Sequence, residues 1–192
     1  MDSTHRQDGS ESEILNAVAA GDRVAFERLY GLYEKRIFQY VCTLICDFAL
    51  AEEVVGDTML AVWHGAESFA RTSRVSTWIF GIARHKALDA MRRTNKQRRE
   101  VDIGGVLDMP DPEHSPSERV QQKQIGEMTQ QALATLSREH QEILRLVFFE
   151  ELPYEEIAVL LSIPTNTVKT RVYYAKQRLK NCLECLSQKE SI

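Results

Sequence analysis

Hydrophobic residues in the first half of the chain recur at the spacing of an α-helix. From Phe26 to Val41, apolar side chains follow one another at intervals of three and four residues, so they share one helical face. Gly21 and Asp22, just before this stretch, are typical of a helix end followed by a helix N-cap. Three further segments have comparable apolar stripes: 12–20, 49–64 and 77–94. We therefore predict four helices, with a polar loop over residues 69–76.

The helical pattern breaks between residues 96 and 117. Two adjacent glycines, Gly104 and Gly105, and prolines at positions 110, 112 and 116 prevent a continuous helix, and acidic residues dominate. These features predict an extended, flexible linker. Its negative charge has two interpretations: a nucleic-acid mimic that lies in a basic channel, or an acidic spacer in solvent.

Helical spacing returns after the linker and ends in two helices joined by a tight turn. Helices are predicted over 120–136 and, after a capping Ser137, over 139–149. Pro153 favours a helix start, and residues 162–164 form a turn before a last helix over 165–186. A short helix, a turn and a basic second helix are typical of a helix-turn-helix. No alternating strand pattern is found in the sequence.

The predicted fold class is therefore all-α, with two small helical domains joined by a flexible linker. A chain of 192 residues has room for two small domains. The predicted division is a disordered N-terminal tail over 1–12, a first domain over 13–95, a flexible acidic linker over 96–119, a second domain over 120–186 and a C-terminal tail over 187–192.

The last helix has one apolar stripe and an opposite face that is polar and basic. Val168, Val172, Ala175 and Leu179 fall on the stripe, which predicts that this side packs down. The other side and its edges hold Asn166, Lys169, Thr170, Tyr173, Tyr174, Lys176 and Gln177. Hydroxyls, amides and long cations read base edges and hold phosphates in a major groove, although a polar face is also common on solvated helices. Combined with the preceding helix and turn, this face predicts DNA binding.

Charge is distributed unevenly along a chain whose formal net charge is −4. Residues 67–100 carry nine Lys and Arg against three Asp and Glu, and residues 164–192 carry six against two. The remaining segments are acidic. Alternation of this kind indicates phosphate contact at two separated places, or simply solvated charged faces.

Composition narrows the class of protein. The longest apolar stretches are far shorter than the ~20 residues that span a bilayer, so no membrane insertion is predicted. The polar, acidic N-terminus does not resemble a secretory signal, and four cysteines do not suggest a disulfide scaffold. We therefore expect a cytoplasmic protein.

The four cysteines form two close pairs. Cys42 and Cys46 are one helical turn apart beside apolar residues, which favours buried cysteines over a metal or redox site. Cys182 and Cys185 have the spacing CxxC, for which a metal or redox role and a plain structural role both stay open. No further ligand lies nearby in the sequence, so no metal or cofactor is predicted.

Two segments resemble one protein family. Residues 152–180, LPYEEIAVLLSIPTNTVKTRVYYAKQRLK, closely resemble the C-terminal helix-turn-helix of the extracytoplasmic-function (ECF, group 4) sigma factors of the sigma-70 family. Residues 51–63, AEEVVGDTMLAVW, then Phe69, then residues 76–84, STWIFGIAR, resemble the core of that family's N-terminal domain. The two matches stand in the family's order, with a linker of suitable length between them.

The resemblance implies a sigma factor with regions 2 and 4 that binds core RNA polymerase and directs promoter recognition, DNA melting and transcription initiation. It implies contact with the β′ clamp helices through Glu52, Glu53, Asp57, Leu60 and Trp63. It implies a single-stranded −10 element, with one base flipped into a pocket, held by Arg71, Thr72, Ser73, Arg74, Ser76, Thr77, Arg84, Lys86, Arg92 and Arg93. It implies a double-stranded −35 element, read while the domain sits on the β flap, held by Asn166, Lys169, Thr170, Arg171, Tyr173, Tyr174 and Lys176.

The resemblance also implies regulation and leaves some residues ambiguous. It implies a stress-response factor controlled by an anti-sigma factor, which can hold the chain near the inner membrane. Trp78 is interpreted as a core residue or as a stacking platform, and Arg84 and Lys86 as phosphate contacts or solvated cations. Gly56 stands where the family usually has glutamine, and Asn166 where it usually has glycine.

Two other classes of protein compete with this interpretation. A stand-alone helix-turn-helix regulator needs a ligand-sensing N-terminal domain, whereas this sequence has a basic helix and the second family motif there. A nuclease needs clustered carboxylates or a Cys/His arrangement, which the sequence does not show. We therefore expect no enzymatic activity.

Overall fold

The computed structural model describes residues 3–101 and 132–189. Seven helices of eight or more residues lie in these ranges: α1 Ser3–Ala19, α2 Arg23–Val41, α3 Phe48–Gly65, α4 Val75–Val101, α5 Arg138–Phe148, α6 Tyr154–Leu161 and α7 Thr165–Lys189. A 3₁₀ turn, Ala66–Ser68, follows α3. No strand occurs in the described ranges, and the predicted all-α class is confirmed. None of these helices combines the length and hydrophobicity that a membrane crossing requires.

Aspartate caps begin two of the helices, as the sequence chemistry dictates. The Asp22 carboxylate accepts hydrogen bonds from the amides of Val24, at 2.8 Å, and Ala25, at 3.2 Å, which confirms its predicted role at the start of α2. Asp47 accepts from the amide of Leu50 at 3.1 Å and caps α3 in the same way. Each cap satisfies amides that have no partner inside their own helix.

The first helix begins earlier than the sequence indicates. The predicted disordered tail over 1–12 is wrong for residues 3–12, because α1 already starts at Ser3. Glu11, only 5% exposed, explains part of this order. Its carboxylate accepts hydrogen bonds from the Tyr33 hydroxyl at 2.5 Å and from the Arg36 guanidinium at 3.4 Å. Because Glu11 and Tyr33 are 22 residues apart, helical periodicity does not reveal their contact.

Two other helices run past their predicted ends. α4 begins at Val75 and continues to Val101, into the start of the predicted linker, and α7 reaches Lys189, inside the predicted C-terminal tail. Neither extension contains Gly or Pro, so nothing in the backbone stops the helix. The rest of the linker, over 102–119, and the predicted helix over 120–131 lie outside the described residues, whereas residues 132–134 are helical.

The first four helices, within residues 3–101, form the first half of the structure, and residues 132–189 form the second half. The first half encloses a core of aromatic and branched side chains. Tyr33, Tyr40 and Phe80 are fully buried, and the rings of Tyr40 and Phe80 meet edge to face with centroids 5.3 Å apart. Leu29 and Ile37 of α2 are also fully buried. Burying side chains of this size contributes about 1.5–3 kcal/mol each, which makes this cluster the main source of stability in the first half.

The second half packs around the predicted stripe of the last helix. Val168 and Ala175 are fully buried and Val172 is 3% exposed, so the predicted packing side of α7 is confirmed. They belong to the same hydrophobic cluster as Ile143 of α5 and Ile157 of α6, both of which are fully buried. Because the stripe of α7 packs in this cluster, the opposite side of α7 faces outward.

The two halves are in direct contact. The buried residues of α1–α4 and of α5–α7 belong to one continuous hydrophobic cluster. Arg36 of α2 pairs with Glu150, which follows α5, at 2.9 Å, and Glu150 also pairs with Arg145 of α5 at 3.1 Å. The Glu150 carboxylate is fully buried. The predicted two-domain division therefore omits an interface that is partly ionic.

The first cysteine pair differs from its prediction. α2 ends at Val41, so Cys42 and Cys46 lie in the turn that follows it rather than on one helix face. Cys42 is half-buried and Cys46 is exposed, and the buried-cysteine prediction is therefore wrong for Cys46. The reason is the turn itself, which directs Leu44 and Ile45 into the core instead.

Candidate nucleic-acid interface

The turn between α6 and α7 sets the orientation of the basic last helix. Ser162 adopts the left-handed conformation, with φ +56°, and ends α6. The amide of Ile163 donates to the carbonyl of Ala158 at 3.0 Å, and the Pro164 carbonyl accepts from the amide of Val168 at 3.1 Å. These bonds close the turn and hold α7 across α6, as a helix-turn-helix requires.

Two tyrosines dominate the outward face of α7. Tyr173 is 59% exposed and Tyr174 is 56% exposed, and their rings meet edge to face with centroids 5.5 Å apart. The Gln177 amide donates to the Tyr173 hydroxyl at 3.1 Å. Large aromatic side chains are usually buried at least in part, so two exposed rings on a helix that has a separate buried stripe indicate a contact surface.

The other predicted −35 residues surround these tyrosines. Asn166, Lys169 and Thr170 are exposed, and the Thr170 hydroxyl donates to the Asn166 carbonyl at 2.9 Å. Arg171 is half-buried and pairs with Glu139 at 3.1 Å. Lys176 is exposed, with its ammonium 4.7 Å from the centroid of the Phe148 ring. Within the described second half, the structure thus places all seven predicted residues on one helix, with Arg171 closest to the packed side.

The predicted −10 loop is short and has one strained position. Arg71 adopts φ +56°, which is uncommon for a non-glycine residue, and its guanidinium donates to the Asn16 side chain at 2.6 Å. Thr72 is exposed and Ser73 is half-buried. The loop is therefore tied to the end of α1, a partner that the sequence did not indicate.

Two predicted −10 residues at the start of α4, Arg74 and Thr77, contact the second half. Ser76 is 5% exposed and Thr77 is 6% exposed. The Thr77 hydroxyl donates a short hydrogen bond to the Glu156 carboxylate, and the Arg74 guanidinium lies 3.8 Å from the same group. The sequence suggested basic and acidic segments but not which carboxylates meet which cations.

Further along α4 the cations become more accessible. Arg84 is half-buried and donates to the Glu142 carboxylate at 3.0 Å. Lys86 is half-buried, whereas Arg92 and Arg93 are exposed, and Arg92 pairs with Asp89 one turn earlier at 3.0 Å. The predicted −10 residues thus form a strip along the loop and α4, covered at its first end and open at the other.

Trp78 packs within its own half. Its ring lies 5.0 Å from that of Phe69, at an interplanar angle of 40°. A Cβ added at Gly65 would lie 3.3 Å from the Trp78 ring, so the end of α3 approaches this indole closely. These contacts favour the core interpretation of Trp78 over the stacking platform.

The predicted polymerase-binding residues share one side of α3. Glu52 and Glu53 are exposed and Leu60 is 56% exposed. Asp57 is half-buried, and Trp63 is half-buried with its ring 5.0 Å from that of Phe26 in an edge-to-face contact. An added Cβ at Gly56, the departure from the family pattern on this helix, would meet no atom within 4 Å. The surface therefore tolerates the larger side chain that the family usually has.

The second cysteine pair lies near the end of α7. Cys182 is half-buried and accepts a hydrogen bond from the Thr135 hydroxyl at 3.4 Å, whereas Cys185 is exposed. In the described ranges, no three His, Cys, Asp or Glu side chains are grouped so that they could hold a metal ion. Among the described residues, the cysteines are therefore not part of a group of metal ligands.

Comparisons with known proteins match both halves of the chain. Residues 29–97 match the family model described as Sigma-70 region 2, and residues 126–179 match the one described as Sigma-70, region 4. The ECF RNA polymerase sigma factor SigL of Mycobacterium tuberculosis is 30% identical over 171 residues, which cover 88% of this chain and 95% of SigL. The ECF RNA polymerase sigma factor RpoE of Cereibacter sphaeroides is 29% identical over 161 residues, or 83% of this chain and 86% of that protein.

Two solved structures have the same fold. The structure of CnrH in complex with the cytosolic domain of CnrY matches with a TM-score of 0.61 at 19% identity, over 91% of this chain and 97% of that one. The sigma factor RpoE in complex with the anti-sigma factor NepR from Bartonella quintana matches with a TM-score of 0.63 at 24% identity, over 83% of this chain and 96% of that one. The two family models and the relatives agree with the helix-turn-helix and with the four-helix first half. The chain therefore belongs to the ECF sigma factors of the sigma-70 family, which are transcription initiation factors and not enzymes.

Proposed function

We propose that this sigma factor holds a promoter at two separated elements, with α7 in the major groove of the −35 element and the loop with α4 on the melted −10 element. The observation that carries the proposal is the division of α7 into a fully buried stripe and an exposed face with Tyr173 and Tyr174. The family supplies the general function of binding polymerase and promoter DNA.

The −35 part of the proposal rests on the chemistry of the exposed face. A major groove is about 12 Å wide and admits one α-helix. Thr170 and Asn166 offer a hydroxyl and an amide to base edges, and the cation of Lys169 can neutralise a phosphate. Tyr173 contributes both an apolar ring and a hydroxyl at the centre of the face.

The −10 part rests on the cationic strip of the first half. Opening DNA costs base stacking and pairing, and this cost is recovered only if the exposed strand is held. Arg92 and Arg93 are exposed on α4, and Thr72 is exposed in the loop that precedes it. The loop can receive a flipped base while the helix holds the backbone phosphates.

The polymerase part uses two further surfaces. The exposed side of α3, with Glu52, Glu53 and Leu60, is acidic around an apolar centre, and it is the surface we assign to the β′ clamp helices. An open apolar groove between α5 and α7, with Phe148 half-exposed beside Leu179, is the surface we assign to the β flap. The surfaces assigned to the polymerase are mainly acidic or apolar, whereas those assigned to DNA are mainly basic and polar.

An anti-sigma factor is the regulator that we propose. The two solved structures compared above are complexes, one with the cytosolic domain of CnrY and one with the anti-sigma factor NepR. A protein partner of this kind would cover the polymerase surfaces of the chain and can hold it near the inner membrane. The site of action is then the cytoplasm, where the polymerase is.

Transcription in vitro on native genomic DNA tests the proposal. Core RNA polymerase with the full-length chain should start at defined sites, and Tyr173→Ala should reduce initiation about 5- to 100-fold by losing one base contact. Asn181→Ala, an exposed polar residue on the same helix that belongs neither to the seven predicted −35 residues nor to the α5–α7 groove, is the control and should leave initiation within about twofold. Binding to core polymerase should not change in either variant. Initiation without the chain, or loss of polymerase binding in Tyr173→Ala, would contradict the assignment.

A further inference from the structure

The last helix carries a chemical feature that DNA recognition does not use, the two thiols of Cys182 and Cys185. Both cysteines are free, Cys182 half-buried and Cys185 exposed. They lie three residues apart in α7, which continues as a helix to Lys189. The rise and radius of an α-helix place Cα atoms three residues apart at a separation of about 5 Å. This separation lies within the range of about 4.4–6.8 Å that a disulfide can bridge.

The two sulfur atoms differ in their access to solvent. The Cys182 sulfur lies 3.4 Å from the hydroxyl oxygen of Thr135, which holds this side chain against the helical segment 132–134. Cys185 is exposed, so a small disulfide in solution can reach it. Thiols that undergo oxidation are accessible and have a second thiol nearby that displaces the first product. Cys185 therefore has the position of the attacking thiol, and Cys182 that of the resolving thiol.

The other pair of cysteines does not combine these two properties. Cys46 is exposed, but Cys42 is half-buried. Burial, followed by the effect of the Cys46 thiol, raises the pKa of Cys42 to about 11, so Cys42 is rarely ionised near neutral pH. Because the thiolate is the form that attacks a disulfide, Cys42 is a poor resolving thiol. Cys42 and Cys46 therefore supply a control pair within the same chain.

A disulfide between Cys182 and Cys185 would not fit a regular helix. Side chains three residues apart on a helix have Cβ atoms about 5–6 Å apart. A disulfide requires a Cβ separation of about 3.5–4.5 Å. The backbone between the two cysteines must therefore leave the regular helical conformation when the bridge forms. Resistance to this change is small, because α7 ends at Lys189, and helix ends open at low cost in free energy.

The turn that would change conformation lines the open groove between α5 and α7. Leu183 and Glu184 lie between the two cysteines in the sequence, and both line this groove together with Leu179. Leu183 is half-buried, so its position depends on the helical backbone around it. A bridge from residue 182 to residue 185 would displace two of the groove's lining residues.

We propose that Cys182 and Cys185 form a dithiol site that a low-molecular-weight disulfide, such as oxidised glutathione, converts into an intramolecular disulfide that disrupts the α5–α7 groove. In the first step the Cys185 sulfur bonds to one sulfur of the reagent, whose S–S bond breaks, and the released thiol carries away the Cys185 proton. In the second step the Cys182 sulfur bonds to the Cys185 sulfur, and the second thiol leaves with the Cys182 proton. The chain loses two electrons and two protons, which the reagent gains.

The effect on the groove rests on the proposed function, because the groove is the surface assigned to the β flap. The reduced chain keeps the helical turn and binds the polymerase, whereas the oxidised chain loses the regular turn and binds more weakly. The chemistry of the dithiol itself does not depend on that assignment.

Oxidation of the full-length chain by glutathione tests the site. The purified chain is equilibrated with mixtures of reduced and oxidised glutathione, quenched with acid, alkylated and digested for mass spectrometry. We expect a peptide with a Cys182–Cys185 bridge in the wild type and in the control Cys42→Ser with Cys46→Ser. Cys182→Ser should stop at a mixed disulfide of Cys185 with glutathione. Cys185→Ser, which changes only an exposed side chain, should form no bridge.

Two further measurements test the effect on the helix and on the groove. Hydrogen exchange of the peptide over residues 179–189 should become at least about tenfold faster on oxidation and return to its first rate with dithiothreitol. Binding of the oxidised chain to core polymerase should weaken by about three- to tenfold. Cys42→Ser with Cys46→Ser should show both changes, and Cys185→Ser should show neither.

The outcomes separate this inference from the proposed function. A mixed disulfide that persists on Cys185 of the wild type, an intermolecular disulfide, or a bridge that leaves hydrogen exchange unchanged overturns the inference. A Cys182–Cys185 bridge with faster exchange and weaker polymerase binding supports it. Bridging with faster exchange but unchanged polymerase binding supports the dithiol site and overturns the assignment of the groove to the β flap. Failure of the reduced chain to direct initiation overturns the proposed function instead.

Discussion

Neutralising Glu150 should cost more stability than neutralising any other carboxylate that pairs with an arginine across the two halves, because its side chain is the most buried of them. Its side chain is fully buried between Arg36, at 2.9 Å, and Arg145, at 3.1 Å. Glu150→Gln keeps the volume but leaves two guanidinium groups without their shared anion. Removing one partner of a fully buried ion pair costs about 3–5 kcal/mol, because the remaining charge is neither paired nor hydrated.

The expected magnitude is somewhat smaller, since both arginines retain some solvent. The side chains of Arg36 and Arg145 are 27% and 14% exposed, and Glu11 and Gln39 still accept hydrogen bonds from them. We therefore expect the free energy of unfolding to fall by about 2–3 kcal/mol. For a chain of this size, each kcal/mol lowers Tm by about 2–4 °C, which gives a fall of about 4–12 °C.

Urea denaturation followed by far-ultraviolet circular dichroism and by tryptophan fluorescence measures this loss. Both tryptophans, Trp63 and Trp78, lie in the first half, so coincidence of the two signals shows whether the halves unfold together. Glu151→Gln is the adjacent control, since its side chain is exposed, and it should change stability by less than about 0.5 kcal/mol. A loss below about 1 kcal/mol in Glu150→Gln, or an equal loss in the control, would refute the reasoning.

Three further predictions concern single groups. Burial, and after it the charge of Arg178, lowers the pKa of His140 from its ordinary value near 6.5. Because the unfolded chain then takes up the proton at a higher pH than the folded chain, the free energy of unfolding should decrease as the pH falls from 7 through this value. Urea denaturation at a series of pH values should show that His140→Gln removes this part of the decrease. Burial, and then the nearby thiol of Cys46, raises the pKa of Cys42 to about 11. Because the thiolate is the form that reacts, alkylation of the folded protein at pH 8, followed by mass spectrometry, should modify Cys42 about two orders of magnitude more slowly than a free thiol of pKa ~8.5. Asp22→Ala removes the cap bonds of α2 and should lower the free energy of unfolding by about 1 kcal/mol in urea, while Asp22→Asn should restore most of it.

The parts of the fold that local patterns encode were predictable from the sequence. The stripe of Val168, Val172 and Ala175 follows from helical periodicity alone, and all three are buried where the stripe predicts. Asp22 caps α2 because a short carboxylate before an apolar run satisfies the first amides of a helix. In each case the cause and the effect lie within one or two helical turns.

The interface between the halves was not predictable in this way. Glu142 meets Arg84 across 58 residues, and Glu150 meets Arg36 across 114, so no periodicity relates them. The charge blocks indicated only that basic and acidic segments alternate. Thr77, predicted as an accessible DNA contact, is buried because a carboxylate from the other half covers it. Pairing at long range depends on the packing of whole helices, which a single sequence does not specify.

The early start of α1 has a practical consequence for anyone who expresses this protein. Glu11 touches Arg36, and the same guanidinium reaches Glu150, so the N-terminal helix is two contacts away from the junction of the halves. A deletion that removes Glu11, or a bulky fusion placed against it, would disturb that junction and change what is measured for the whole molecule. A purification handle is therefore better attached beyond Lys189, at the far end of the last helix.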